Sequence, residues 1–234
     1  MLSGKGNISD PKYWSKVSEI SGATLPREPQ SAPRTRPGSF EVIDNLKERT
    51  VIIYWQKLEE KYHNGPNFGY DITQVKEGEI SQPILPSNHM SAYAEFKKLK
   101  LDNYTFFVTS KNDIGPAPNA SKIFVPHRDK LTAIQPKSFT KTYLEENNTF
   151  EVAWFPPKDK SMIVSYTIFW CKFPQDRPYQ CDGKLDWIDV EPYPENQTMI
   201  HKIPLPDAEN YQLAVAANTE HYSSGKGKAF FFKV

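Results

Sequence analysis

Cysteine is nearly absent from this chain: Cys171 and Cys181 are the only two among 234 residues. Two thiols with no histidine beside them cannot complete a zinc site. The stretch Lys172 to Gln180 between them supplies no base to activate a nucleophile. An excess of charge is also lacking, with 29 basic against 28 acidic side chains. The chain therefore carries no electrostatic footprint of a nucleic-acid binder. Arg27, Arg34 and Arg36, and the cluster Lys97, Lys98, Lys100, read as solvated edges and turns. No apolar run reaches the roughly eighteen residues of a transmembrane helix, and the first 25 residues lack the apolar core of a signal peptide.

Catalytic patterns are missing as well. His63, His89, His127, His201 and His221 are scattered, with no recognisable Ser-His-Asp arrangement around them. Glu59-Glu60 and Glu145-Glu146 read as solvated turns. Gly225-Lys226-Gly227-Lys228 lacks the spacing of a phosphate-binding loop and the apolar strand that precedes one. These absences predict no enzyme, no cofactor and no metal site.

What is present is a repeat. Trp55 and Trp154 lie 99 residues apart, and each opens the same series of landmarks. Tyr70, Tyr104, Asn112 and Gly115 follow the first; Tyr166, Tyr211, Asn218 and Gly225 follow the second. That period matches a whole small β-domain. Twenty prolines, twelve tyrosines and only four methionines favour short strands over long helices. Thr50 to Gln56 (TVIIYWQ) is a β-branched and aromatic run, a strand buried on at least one face. Phe68 to Val75 alternates Tyr70, Ile72 and Gln74 against Asp71, Thr73 and Val75. Tyr104 to Ser110 (YTFFVTS) places Tyr104, Phe106, Val108 and Ser110 on one side.

In the second copy, Glu151 to Trp154 is the early strand and Pro156-Pro157 stops it. Val164 to Lys172 alternates Tyr166, Ile168 and Trp170 against Thr167, Phe169 and Cys171. Tyr211, Leu213 and Val215 repeat the inward pattern, and Ser223-Ser224-Gly225 turns into a last strand at Lys228 to Val234. The connector Val125 to Leu131 holds one proline and predicts a limited hinge. Five N-x-S/T sequons, at Asn7, Asn103, Asn119, Asn147 and Asn196, exceed the roughly two that chance would give. They point to a secreted or cell-surface protein, glycosylated at these asparagines, and the chain reads as a fragment of a larger ectodomain.

The inner tryptophan, the tyrosine of the next-to-last strand and the turn Asn112-Asp113-Ile114-Gly115 resemble fibronectin type III modules. The resemblance implies an all-β fold, two tandem fibronectin type III (immunoglobulin-like) β-sandwiches, at residues 25–126 and 127–234. Trp55, Tyr104, Trp154 and Tyr211 would be core landmarks. Trp14-Ser15-Lys16-Val17-Ser18, followed by Glu19 to Thr24, looks like a degenerate WSxWS box. In class I cytokine receptors that box closes the ligand-binding module, so residues 1–24 would be its remnant. Val17 stands where the second tryptophan belongs, and the strand that would supply the arginines is expected upstream of Met1.

Trp170-Cys171, Cys181 and Asp186-Trp187 resemble the second membrane-proximal fibronectin module of interleukin-6-type, glycoprotein 130-like receptors. Cys171 and Cys181 would form a disulfide closing a short loop, worth roughly 3 kcal/mol in the chain-entropy account. The resemblance further implies a single-pass plasma-membrane receptor, anchored by a transmembrane segment absent from this chain. Its ligand would be a helical cytokine bound mainly by modules absent here, and its partner a second receptor chain, in a homo- or heterodimer. Janus-kinase and STAT signalling would be its output. An adhesion molecule or phosphatase-type receptor ectodomain is the competing reading.

Overall fold

The computed structural model describes residues 19, 22, 24–45, 47–76, 79–84, 92–172, 184–193, 198–205 and 211–226. Strand β1 (Phe40–Asp44), β2 (Arg49–Tyr54) and β5 (Tyr93–Leu99) form an antiparallel sheet in the order β1-β2-β5. Strand β4 (Glu79–Ile84), β3 (Gly69–Lys76), β6 (Tyr104–Lys111) and β7 (Ser121–Val125) form the second, in the order β4-β3-β6-β7. The alternation read from the sequence is what sets β3 and β6. Tyr70, Ile72 and Gln74 are buried on β3, and Tyr104, Phe106, Val108 and Ser110 on β6. Period-two burial of this kind is the mark of a strand with one face on a core.

The pattern then recurs. Strand β8 (Lys137–Leu144), β9 (Thr149–Phe155) and β12 (Met199–Pro204) make a sheet in the order β12-β9-β8. Strand β11 (Asp186–Val190), β10 (Ser165–Lys172) and β13 (Tyr211–Asn218) make its partner, in the order β11-β10-β13. The final strand expected at Lys228 to Val234 lies outside the described residues.

Each pair of sheets closes on its own core. Val51, Ile53, Trp55, Tyr70, Ile72, Phe106 and Val108 fill the first, and Val152, Trp154, Tyr166, Ile168, Leu213 and Val215 the second. Trp55 meets Tyr70 edge-on at 5.3 Å and 63°; Trp154 meets Tyr166 at 5.3 Å and 62°. The repeat is thus preserved down to the angle of one aromatic pair, the edge-to-face arrangement that ring quadrupoles favour.

The connector differs from its sequence reading. Arg128–Ile134 is a helix, α1, whose residues are mostly good helix formers. Asp129 N–H donates to the His127 side chain at its start. Pro136 stops it, because the residue before a proline is pushed extended, and Gln135 has ψ 124°. Leu131 belongs to the first core and Ile134 to the second. The connector, expected to be a limited hinge, holds a helix with one anchor in each core. Arg49, buried beneath Tyr104, donates to Pro126 O at 2.9 Å and to Asp102 O. Burial pulls its pKa below the usual arginine range, against the opposing pull of Asp44, Tyr104 and Asp102.

Candidate functional site: the face between the two sandwiches

A sheet that covers only one core should show polar residues outward. Strand β2 does not. Ile52 and Tyr54 point away from the first core, and both are buried. Their cover is the outer face of the second sandwich: Phe169 and Cys171 on β10, Ala216 on β13, and Leu185 just before β11. Ile43, Tyr93 and Trp187 complete this third apolar cluster as half-buried members. Two-sided burial is why TVIIYWQ and SYTIFWC are nearly continuous apolar runs instead of alternating ones.

Polar groups ring the cluster. Gln56 Nε2 donates to Leu185 O at 2.8 Å and to Asp186 Oδ1 at 2.9 Å. Arg36 pairs with Asp189 at 2.8 Å, and the Arg34 guanidinium lies 5.4 Å from the Trp187 ring centre. Arg34 and Arg36 are exposed, as their sequence context suggested, yet both reach across to the second sandwich.

Two left-handed glycines fit the modules together. Gly38 has φ +83°, and a Cβ there would lie 2.6 Å from Ser223 Oγ and 2.7 Å from Ala216 Cβ. Gly225 has φ +72°, and its Cβ would lie 2.5 Å from the Phe40 ring. Each sandwich thus contributes one glycine whose missing side chain is the space the other occupies.

Lys226 follows. Its N–H donates to Phe40 O at 2.7 Å, and its Nζ sits 3.7 Å from the Tyr54 ring centre and 5.1 Å from that of Phe169. Glu41, which accepts from the Tyr54 hydroxyl at 3.3 Å, is the charge that favours the ammonium. Burial outweighs it and pushes the amine down to about 7.

The residues singled out in the sequence are distributed as follows. Trp55, Tyr104 and Trp154 are buried and Tyr211 is half-buried, with its carbonyl accepting from Lys141 Nζ at 2.9 Å. Asn112 donates through Nδ2 to Arg27 O (2.6 Å) and His63 O (2.8 Å), and its Oδ1 accepts from the Ile114 and Gly115 amides. Cys171 is buried at the contact face and is not a free thiol; Cys181 lies outside the described residues. Asn119 and Asn147 are exposed. Asn103 is half-buried, and its Oδ1 accepts from the His127 amide at 2.6 Å. Asn7, Asn196, Trp14, Ser15 and Ser18 lie outside the described residues. Among the described residues no three His, Cys, Asp or Glu side chains gather around a point fit for a metal ion, and no helix is long and apolar enough to cross a membrane.

Gln56, Gly38, Leu185 and Lys226 went unread in the sequence as contact residues. The continuous apolar runs beside them were the available signal. Cys171, Asp186 and Trp187, which marked the second copy as unusual, belong to the same face.

The strand orders and the twin tryptophan cores define the chain as two tandem fibronectin type III β-sandwiches. No protein-family model matches it. Over 218 residues it is 27% identical to a protein named cytokine receptor of Drosophila melanogaster, covering 91% of this chain and 16% of that protein. It is 22% identical over 179 residues to neural cell adhesion molecule L1.1 of Danio rerio, covering 68% of this chain and 14% of the relative. The chain thus spans a small part of either relative's length. The crystal structure of chicken CNTN1 FN1–FN3 domains aligns over 85% of this chain and 66% of its own, with a TM-score of 0.34 and 16% identity.

Proposed function

We propose that this chain is a non-enzymatic segment of a cytokine-type receptor ectodomain, a spacer whose two fibronectin modules are held at a fixed elbow. The observation that carries the reading is the apolar face between the modules, in a chain similar to a cytokine receptor over 91% of its length. Residues 25–126 and 127–234 are the two modules, and residues 1–24 the remnant of a preceding ligand-binding module. A helical cytokine binds upstream. The elbow then sets the distance and angle between two receptor chains at the plasma membrane, and so between the Janus kinases that drive STAT activation. The Cys171–Cys181 disulfide stiffens the segment leading to Leu185 and Trp187. An insect receptor of the Domeless kind fits the degenerate WSxWS segment and the divergent sequence. The sequons at Asn119 and Asn147 are accessible for sugar, whereas Asn103 already caps the connector.

The test is a deletion of residues 25–234 from the full-length parent, read by cytokine binding and by STAT phosphorylation. Retained binding with lost phosphorylation is expected. Lost binding would place the ligand site in these modules, and a parent with no STAT response would favour the adhesion reading that the similarity to L1.1 allows.

A further inference from the structure

The sequence holds a single Asn-Gly step, Asn64-Gly65, in the connection from β2 to β3. Asn64 is exposed and left-handed, with φ 58°. It also grips the lead-in to the first sandwich. Its carbonyl accepts from the Arg27 amide at 2.9 Å, and its Nδ2 donates to Glu28 O at 2.9 Å. Beside these bonds Asn112 Nδ2 donates to Arg27 O, and the Gln30 amide donates to Tyr62 O at 3.0 Å.

Asparagine is a chemically labile side chain, and its weak point is attack by the next residue's amide nitrogen. Gly65 removes two obstacles to that attack. It has no side chain to crowd the approach, and its N–H has no acceptor among the described residues. The turn itself is the remaining obstacle. Left-handed backbone, with ψ about +47°, keeps the Gly65 nitrogen turned from the Asn64 side chain. Ring closure therefore waits for the turn to open, which an exposed connection does at little cost.

We propose that Asn64-Gly65 is a site of spontaneous succinimide formation, whose hydrolysis releases the lead-in from the first sandwich. The Gly65 nitrogen gives up its proton to solvent base and bonds to Asn64 Cγ. The Cγ–Nδ2 bond breaks, and Nδ2 leaves as ammonia. Water then opens the imide. Attack at Cγ leaves an aspartyl side chain on an ordinary backbone. Attack at the main-chain carbonyl leaves an isoaspartyl linkage, with the backbone running through Cβ and Cγ. The net exchange is one water consumed for one ammonia released.

Both products weaken the grip. A carboxylate has no proton to donate to Glu28 O and sets a second acceptor against it. The isoaspartyl form also lengthens the backbone by one atom where space is short. A Cβ on Gly65 would lie 2.6 Å from Asn112 Nδ2 and 3.3 Å from Arg27 O. The longer turn thus presses on the Asn112 bonds as well. Opening permits the reaction and the product opposes reclosure, so the release runs one way.

The experiment incubates the chain folded and, in parallel, unfolded in urea at mildly alkaline pH, with peptide mapping by mass spectrometry over time. Asn67 is the internal control, exposed and left-handed (φ 53°) in the same connection but followed by Phe68. Asn64 in the folded chain should convert no more than about a hundredfold more slowly than in urea, and faster than Asn67. Asn64→Gln, which would have to close a larger ring, should stop the conversion on that timescale. Asn64→Asp, one of the two products, should speed hydrogen exchange at the Arg27 and Gln30 amides about tenfold, the loss of one hydrogen bond. A folded chain that keeps its Asn64 amide while the unfolded chain converts fully would overturn the site. So would conversion at Asn67 that keeps pace, or conversion that persists in Asn64→Gln. Exchange in Asn64→Asp equal to the wild type would overturn the release.

Discussion

The first and second sandwiches share a core and differ on their surfaces. Trp55–Tyr70 and Trp154–Tyr166 have the same separation and nearly the same angle. Their asparagine turns do not match. Asn112 makes four hydrogen bonds, tying its own turn to Arg27 and His63. Asn218 donates to Ser165 Oγ at 3.1 Å and Thr167 Oγ1 at 2.8 Å, while its buried Oδ1 has no partner among the described residues. The outer faces diverge further, with Ile52 and Tyr54 in one copy where the other has Glu151 and Ala153. What recurs is the core of each module. What varies is what makes the modules meet.

The largest effect should test the shared part. Trp55→Ala and Trp154→Ala each remove a fully buried indole, at a cost of about 3–5 kcal/mol to the module concerned. Urea titration should show one module unfolding early and the other unmoved, in mirror image for the two variants. Unequal costs would break the equivalence of the cores.

Next comes the asparagine turn. Asn112→Ala leaves two carbonyls and two amides without their partner and should cost about 2–3 kcal/mol. Asn218→Ala should cost about 1 kcal/mol, since one end of that side chain is already unpaired. Equal losses by thermal denaturation would refute the asymmetry.

Gly38→Ala should cost about 1–2 kcal/mol from its left-handed backbone alone, and the added methyl collides with the second sandwich. Scattering should then show the pair opened while near-ultraviolet circular dichroism reports both tryptophan cores intact. A closed pair with an unchanged profile would mean that the glycine does not govern the fit.

The smallest effect is a pH dependence. Lys226 has its amine lowered to about 7 from an ordinary 10.5, so between these values the opened state binds the extra proton. Docking therefore strengthens as pH rises through that window and levels off below it. The Tyr54 and Phe169 rings, which attract the ammonium, shallow the slope. Lys226→Met should flatten a distance-sensitive fluorescence signal between the modules across pH 7 to 10; an unchanged slope would remove Lys226 as its source.

Much of each sandwich was legible because strands with one buried face announce themselves by alternation, as β3 and β6 do. Helix α1 was not, since seven residues are too few for a helical period to emerge and too short to be stable without tertiary support. The face between modules was half legible. TVIIYWQ read as a strand buried on at least one face, which left open whether Ile52 and Tyr54 are covered as well. The partners Leu185 and Ala216 are remote in sequence, and no local pattern ties Gln56 to a carbonyl 129 residues away. Gly225 was readable as a turn; its role as a recess for Phe40 depends on where the other module comes to rest.

The short helix between the modules has a consequence for how such a chain can vary. Leu131 and Ile134 are locked into different bodies by less than one helical turn. Each residue inserted between them would rotate one anchor against the other by roughly 100° and advance it by about 1.5 Å. Connector length is thereby converted into angular phase. A one-residue change swings the second module to a new bearing, and only steps near a full turn restore the original aim.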